Sequence, residues 1–149
     1  VLGAWLWNRV HRRDTAWPSR LVWCLPMRVL VEQTEAEARA VLSRMNLLWE
    51  DAGSHVGKVG VHCLMGGSDP GDWALYPEHC AVLIGTQDML LSRAMNRGYG
   101  SPRARWPMEF GLLNQDCLWV MDEVQLMDVG LATSTQLQSF RHTDECQGL

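Results

Sequence analysis

Two adjacent carboxylates, Asp122 and Glu123, follow an uninterrupted apolar run, Cys117-Leu118-Trp119-Val120-Met121. A run of that kind is how a buried strand of a parallel sheet reads, and ligand chemistry in such sheets sits just beyond the strands' carboxyl ends. Successive strand side chains point to opposite faces, but where strand passes into loop two neighbouring carboxylates diverge only slightly and can serve one site. One can hold Mg²⁺ while the other positions a water for attack on a phosphate. The same residues also read as a strand followed by a solvated acidic turn, and the pair alone does not separate the two.

Three further apolar runs end in residues of the right type to join such a site. Leu21 to Leu25 is followed by Pro26, Arg28 and Gln33; Gly57 to Leu64 by Met65-Gly66-Gly67; and Ala81 to Ile84 by Gly85-Thr86-Gln87-Asp88. In a parallel sheet all four ends share one edge. Glycines, short hydroxyls, amides and a guanidinium are the groups that hold a phosphate backbone without reading its bases.

The elements that must position these residues follow from periodicity. Apolar runs bounded by turn residues alternate with amphipathic stretches, the pattern of βα units around a parallel sheet. Val1 to Arg12 is helix-compatible, so the chain is expected to begin inside a helix. Val29, Leu30, Gln33, Ala36, Ala40, Val41, Leu47 and Leu48 recur at spacings near three and four, which predicts a helix from about Arg28 to Trp49 closed by Gly53. A helix carrying Met89, Leu90 and Leu91 is expected to be capped by Thr86. Asn96 to Arg105, rich in Gly, Arg and Ser, predicts an exposed loop before a short helix near Met108 to Asn114. After the acidic pair an amphipathic helix is expected from about Leu131 to Phe140, then a frayed tail, Thr143 to Leu149.

At 149 residues the chain is about one domain, long enough to bury a core but short for a two-lobed motor. Its 47% hydrophobic and 20% charged content argue for a globular domain over a disordered one. No apolar run reaches the ~18 to 20 residues of a membrane span, and Arg9, Arg12 and Arg13 come too early for a secretory leader, so a cytoplasmic protein is expected. The net charge of −4 excludes the overall basic footprint of a stand-alone nucleic-acid module and leaves room only for a local groove. Lys58 is the one Lys among 13 basic residues, so nearly all positive charge is guanidinium. Five cysteines, an odd number, read as reduced core thiols. His62-Cys63 and His79-Cys80 do not make a zinc site, because adjacent strand residues point to opposite faces.

In order and placement after strands, these segments resemble the first RecA-like lobe of a superfamily 2 helicase from about Leu21 to Phe140. Leu25-Pro26-Met27-Arg28-Val29-Leu30-Val31-Glu32-Gln33-Thr34 stands in the place of motif Ia, Gly66-Gly67 in that of motif Ib, and Gly85-Thr86-Gln87-Asp88 in that of the following nucleic-acid motif. Asp122-Glu123-Val124-Gln125 stands in the place of motif II, the Walker B element. Within that superfamily Trp23-Cys24-Leu25-Pro26-Met27-Arg28, Gln87 to Arg93 and Asp122 to Asp128 are similar to the helicase of type I CRISPR-associated helicase-nucleases. The resemblance implies an α/β, parallel-sheet RecA-like (P-loop NTPase) three-layer sandwich, incomplete at its N-terminus, with residues 1–149 forming part of one lobe. It implies ATP and Mg²⁺ as cofactors, Asp122 as the metal-side carboxylate and Glu123 as the catalytic residue that handles water. Pro26, Arg28, Gln33, Gly66, Gly67, Thr86 and Gln87 would line a single-stranded DNA path. Further implied partners are a second RecA-like lobe, an HD nuclease domain and a CRISPR guide-RNA surveillance complex, in antiviral defence and without a membrane. Gln125 departs from the His common at the fourth position of motif II in that family; it can donate and accept hydrogen bonds but cannot become charged.

A working nucleotide site also needs a Gly-rich loop with a Lys and a Ser or Thr, leading into a helix. None is present. Gly53-Ser54-His55-Val56-Gly57-Lys58-Val59 is one residue short between its glycines, ends in Val, and leads into a strand. The expected explanation is that the first strand and its phosphate loop lie upstream of Val1, which predicts a gap within the sheet. Ala132-Thr133-Ser134 imitates a later helicase motif but sits inside the helix after motif II. The other superfamily 2 motors, an RNA helicase or a restriction-type translocase, would share every residue role named. A nucleotide-independent scaffold, with the eight tryptophans as core and interface anchors, is the alternative from another class.

Overall fold

The computed structural model describes residues 1–49, 56–66, 73–98 and 100–147, with side chains to residue 143. Four parallel strands, β1 (Arg20–Leu25), β2 (Val59–Leu64), β3 (Cys80–Thr86) and β4 (Cys117–Met121), form one sheet in the order β2-β3-β1-β4. Five helices accompany them: α1 (Leu2–Trp5, continuing as a π-helical turn through His11), α2 (Arg28–Arg44), α3 (Gln87–Ala94), α4 (Trp106–Asn114) and α5 (Val129–Gln147). Among the described residues, no helix is long and apolar enough to cross a membrane.

Strand alternation splits the core in two. Leu21, Leu25, Val59, Val61, Val82 and Ile84 meet Trp5 and Leu6 of the N-terminal helix and Val31, Ala38 and Leu42 of α2. Val22, Cys24, Leu64, Ala81 and Leu83 meet Met89, Leu90 and Ala94 of α3, Leu113 of α4 and Met127. The period of two thus sends each strand's apolar residues to helices on both faces, and a three-layer α/β arrangement results. Trp5 is wholly buried, and its indole N–H is satisfied by Pro18 O at 2.8 Å, so the N-terminal helix is docked onto the sheet.

Several boundaries differ from expectation for local reasons. Helix α2 stops at Arg44, five residues before Trp49, because Asn46 adopts a left-handed conformation (φ 54°) and Leu47 and Leu48 leave the helix. Leu48 bridges Val59, and Val59 N donates to Leu47 O at 2.8 Å. Gly53, expected to stop the helix, lies outside the described residues. Strand β3 runs two residues further than its β-branched stretch, since Gly85 and Thr86 continue pairing with Cys24 and Leu25. Gly85 is therefore a strand residue, and a Cβ there would stand 2.4 Å from Leu64 O and 3.1 Å from Leu90 Cγ. Helix α5 begins two residues early and continues to Gln147, through most of the tail expected to fray.

Among the described residues the expected gap within the sheet is absent: each neighbouring pair of strands is hydrogen-bonded, and β4 ends the order as an edge. Arg20 N donates to Asp116 O and Asp122 N to Cys24 O, so even-numbered residues of this strand address β1 and the backbone groups of Cys117, Trp119 and Met121 face away from it.

At the amino end of the sheet, Arg20 is buried and donates to Leu112 O, Pro77 O and Gln115 O at 2.9 to 3.0 Å, tying the end of α4, the turn after it and the segment before β3 to the start of β1. Between α3 and α4, the buried Arg93 Nε stands 3.1 Å from Glu109 Oε2.

Candidate functional site

Register brings the marked strand ends together. Leu25 lies opposite Thr86, Cys24 opposite Met121, and Leu64 opposite Gly85. Pro26, Gln87 and Asp122, each one residue further, and Gly66, two residues beyond Leu64, therefore all fall at the sheet's carboxyl edge. Gly67 lies outside the described residues.

Asp122 is the next residue after β4 on the row of Leu118 and Val120, the face it shares with Trp23 of β1. Its Oδ2 accepts the Trp23 indole N–H at 3.0 Å, and its Oδ1 accepts the Glu123 backbone N–H at 3.0 Å. Glu123 turns the chain out of the strand in a left-handed conformation, φ 54° and ψ 42°, which is costly for a residue with a Cβ. Its exposed carboxylate accepts a hydrogen bond from the Gln125 side-chain amide. Gln125 thus points back at the catalytic candidate, within a 3-10 turn, Val124–Leu126, that leads toward α5. Both carboxylates meet only neutral donors among the described residues.

Helices α2 and α3 both start at this edge, and neither has a side-chain cap. Thr86 occupies the position before α3, yet its hydroxyl caps nothing and the residue is only 9% exposed. Arg28 is exposed in the first turn of α2 and forms no ion pair with Glu32. Gln33 is exposed on the same helix five residues on, roughly 7.5 Å along the axis from Arg28. Gln87 is half-buried and reaches the start of α5: a Cβ on Gly130 would stand 2.0 Å from its Oε1.

Two contacts here have no local sequence signal. Trp23 meets Asp122 only because β1 and β4 pair, and Gly130 faces Gln87 only because α5 folds back over α3. Asp88, in the first turn of α3, faces the buried thiol of Cys24, which burial first and that charge second push up to about 12. Burial likewise pushes Cys117, whose thiol donates to Leu112 O, up to about 11. Among the described residues Cys24, Cys80 and Cys117 are in no disulfide, Cys24 buried and the other two half-buried.

The decoys stay apart from the edge. Lys58 donates to the backbone and side-chain oxygens of Asn46 at 2.7 and 3.1 Å. Thr133 and Ser134 bond back to Val129 O and Leu131 O within α5. Among the described residues no cluster of three or more His, Cys, Asp or Glu could hold a metal. Two clefts of about 570 and 760 Å³ flank α5 around Trp119 and Arg141, and neither includes Asp122 or Glu123.

Fold and site together define an α/β domain on a four-stranded, all-parallel sheet, with an acidic pair and two helix starts on its carboxyl edge. That layout is compatible with Rossmann-like and RecA-like folds alike. No protein-family model, no curated protein and no solved structure matches the chain.

Proposed function

We propose that this chain is part of the first RecA-like lobe of an ATP-dependent superfamily 2 DNA helicase, of the kind found in type I CRISPR-associated helicase-nucleases. The observation that carries this is the register: the acidic pair after β4 lies on the same edge as the strand ends bearing Pro26, Gly66 and Gln87, with Arg28 in the helix turn that follows.

Mg²⁺ fits the acidic pair, whose charge among the described residues meets only neutral donors, and two carboxylates alone would hold it weakly. Waters and an oxygen of a bound phosphate would complete its shell, and there it would supply neutralisation of charge. Asp122 would hold the metal through its remaining lone pairs, and Glu123 would accept a proton from, or orient, a water. ATP does not fit these 149 residues by themselves, since they contain no Gly-rich cradle with its Lys. On the nucleic-acid side, the uncapped first turns of α2 and α3 offer backbone N–H groups, and Arg28 offers a guanidinium, to phosphates of a single strand. The second lobe, HD nuclease domain and guide-RNA complex belong to the same proposal. A partner-binding scaffold has one observation in its favour, the open edge of β4.

The 149-residue chain should show no ATP turnover with or without single-stranded DNA. In a polypeptide that joins these residues to a phosphate loop, Glu123→Gln should keep nucleotide binding and slow hydrolysis by about a hundredfold or more. Ordinary turnover by that variant would remove Glu123 from the role given to it.

A further inference from the structure

We propose that Trp23 is a positioning residue for Asp122: its indole N–H fixes the direction of the carboxylate that faces the metal. This rests on Asp122 being that carboxylate. The two oxygens are held by donors of different origin, Oδ2 by Trp23 from the neighbouring strand and Oδ1 by the backbone N–H of Glu123, each at 3.0 Å. A carboxylate pinned at both oxygens cannot rotate about its terminal bond, and each oxygen retains lone-pair capacity for a metal or a metal-bound water.

The donor is neutral, which matters. An Arg or Lys in its place would cancel the charge that a divalent ion needs, whereas an indole can donate but carries no charge and cannot accept a proton. Trp23 is itself held on three counts: its backbone lies opposite Ile84 on one side and Val120 on the other, and its ring packs against the buried cluster beneath α1 and α2. The strand that carries it ends at Leu25, three residues before Arg28. Outer residues that orient a metal ligand in this way generally affect metal affinity by about ten- to a hundredfold.

The test uses the 149-residue chain with ¹⁵N-labelled indoles and Mn²⁺ alone as the probe. Trp23→Phe identifies the Trp23 indole signal by its loss, and Asp122→Asn should shift that signal more than any of the other seven. Mn²⁺ should broaden the Trp23 signal first in the wild-type chain and fail to do so in Asp122→Asn. The deciding variant carries benzothienylalanine at position 23, which keeps the bicyclic shape but has sulfur in place of the N–H. It should melt at the wild-type temperature yet bind Mn²⁺ about tenfold more weakly by water-proton relaxation. Unchanged Mn²⁺ affinity in that variant, with binding still abolished by Asp122→Asn, would overturn the role of Trp23 and leave the Asp122 site standing. Absence of any Mn²⁺ effect on the wild-type chain would overturn both.

Discussion

At the scale of single residues, the left-handed Glu123 carries a local backbone cost at the position proposed to handle water. Its φ of 54° is tolerated without strain only by Gly, so Glu123→Gly should raise stability by about 1 kcal/mol, net of the greater freedom Gly gives the unfolded chain, while removing the carboxylate. A urea midpoint that falls in this variant would show that the Gln125 contact outweighs the backbone strain. The buried thiols give a second expectation. Cys24 and Cys117, ordinarily ionising near 9.0, are raised to about 12 and about 11, chiefly by burial. The folded values lie above the unfolded one, so the stabilisation is complete below pH 9 and is lost as pH rises from there toward 11 and 12. Stability measured between pH 8 and 10.5 should fall, and the fall should be shallower in Cys24→Ala. Asp122 and Glu123 were legible in the sequence because adjacency and a preceding apolar run are local facts. Trp23 was not legible as their partner, because it lies 99 residues from Asp122 and only the pairing of β1 with β4 joins them.

At the scale of elements, helix and strand types follow from periodicity, while their ends depend on neighbours. Nothing in Leu47 and Leu48 distinguishes them from helical residues, and the chain leaves α2 there because Val59 donates to Leu47 O and accepts from the Trp49 N–H. Gly85 looks like a turn residue in sequence, yet the close approach of Leu64 keeps it in the strand. The Gln87–Gly130 contact supports a double-variant test at this scale. Gly130→Ala should gain up to about 0.5 to 1 kcal/mol of helix propensity in a Gln87→Ala background and lose that gain when Gln87 is present. Equal effects in both backgrounds would show that Gln87 does not touch α5 as described. The α3–α4 junction rests on Arg93 and Glu109, whose side chains are 0% and 2% exposed. Glu109→Ala strands a buried guanidinium that burial already disfavours, at an expected loss of about 3 to 5 kcal/mol; replacement of both by apolar residues should recover most of it. Denaturant melts of the single and double variants decide this.

At the scale of the whole molecule, the continuous order β2-β3-β1-β4 replaces the interrupted sheet expected from the missing phosphate loop. Any strand added to this sheet joins at an edge, and β4 is the edge beside the acidic pair. The two apolar clusters are built around all four strands, so the chain should melt in one cooperative step. A broad, non-cooperative melt would show that these clusters do not hold without further chain. Strand polarity and the shared edge were legible from apolar runs alternating with amphipathic stretches; strand order was not, since no local signal says which parallel strands are neighbours. In the function proposed for this chain, the carboxyl edge holds a single nucleic-acid strand by its phosphates. Fluorescence anisotropy of a mixed-sequence and a homopolymer single-stranded DNA, each at two salt concentrations, tests it most directly. The wild-type chain should bind both strands alike, more weakly at higher salt, and Arg28→Gln and Gln87→Ala should weaken both equally, the former reducing the salt slope by less than about one counterion. Binding that ignores both substitutions would contradict the claim and place any nucleic-acid groove away from the strand ends.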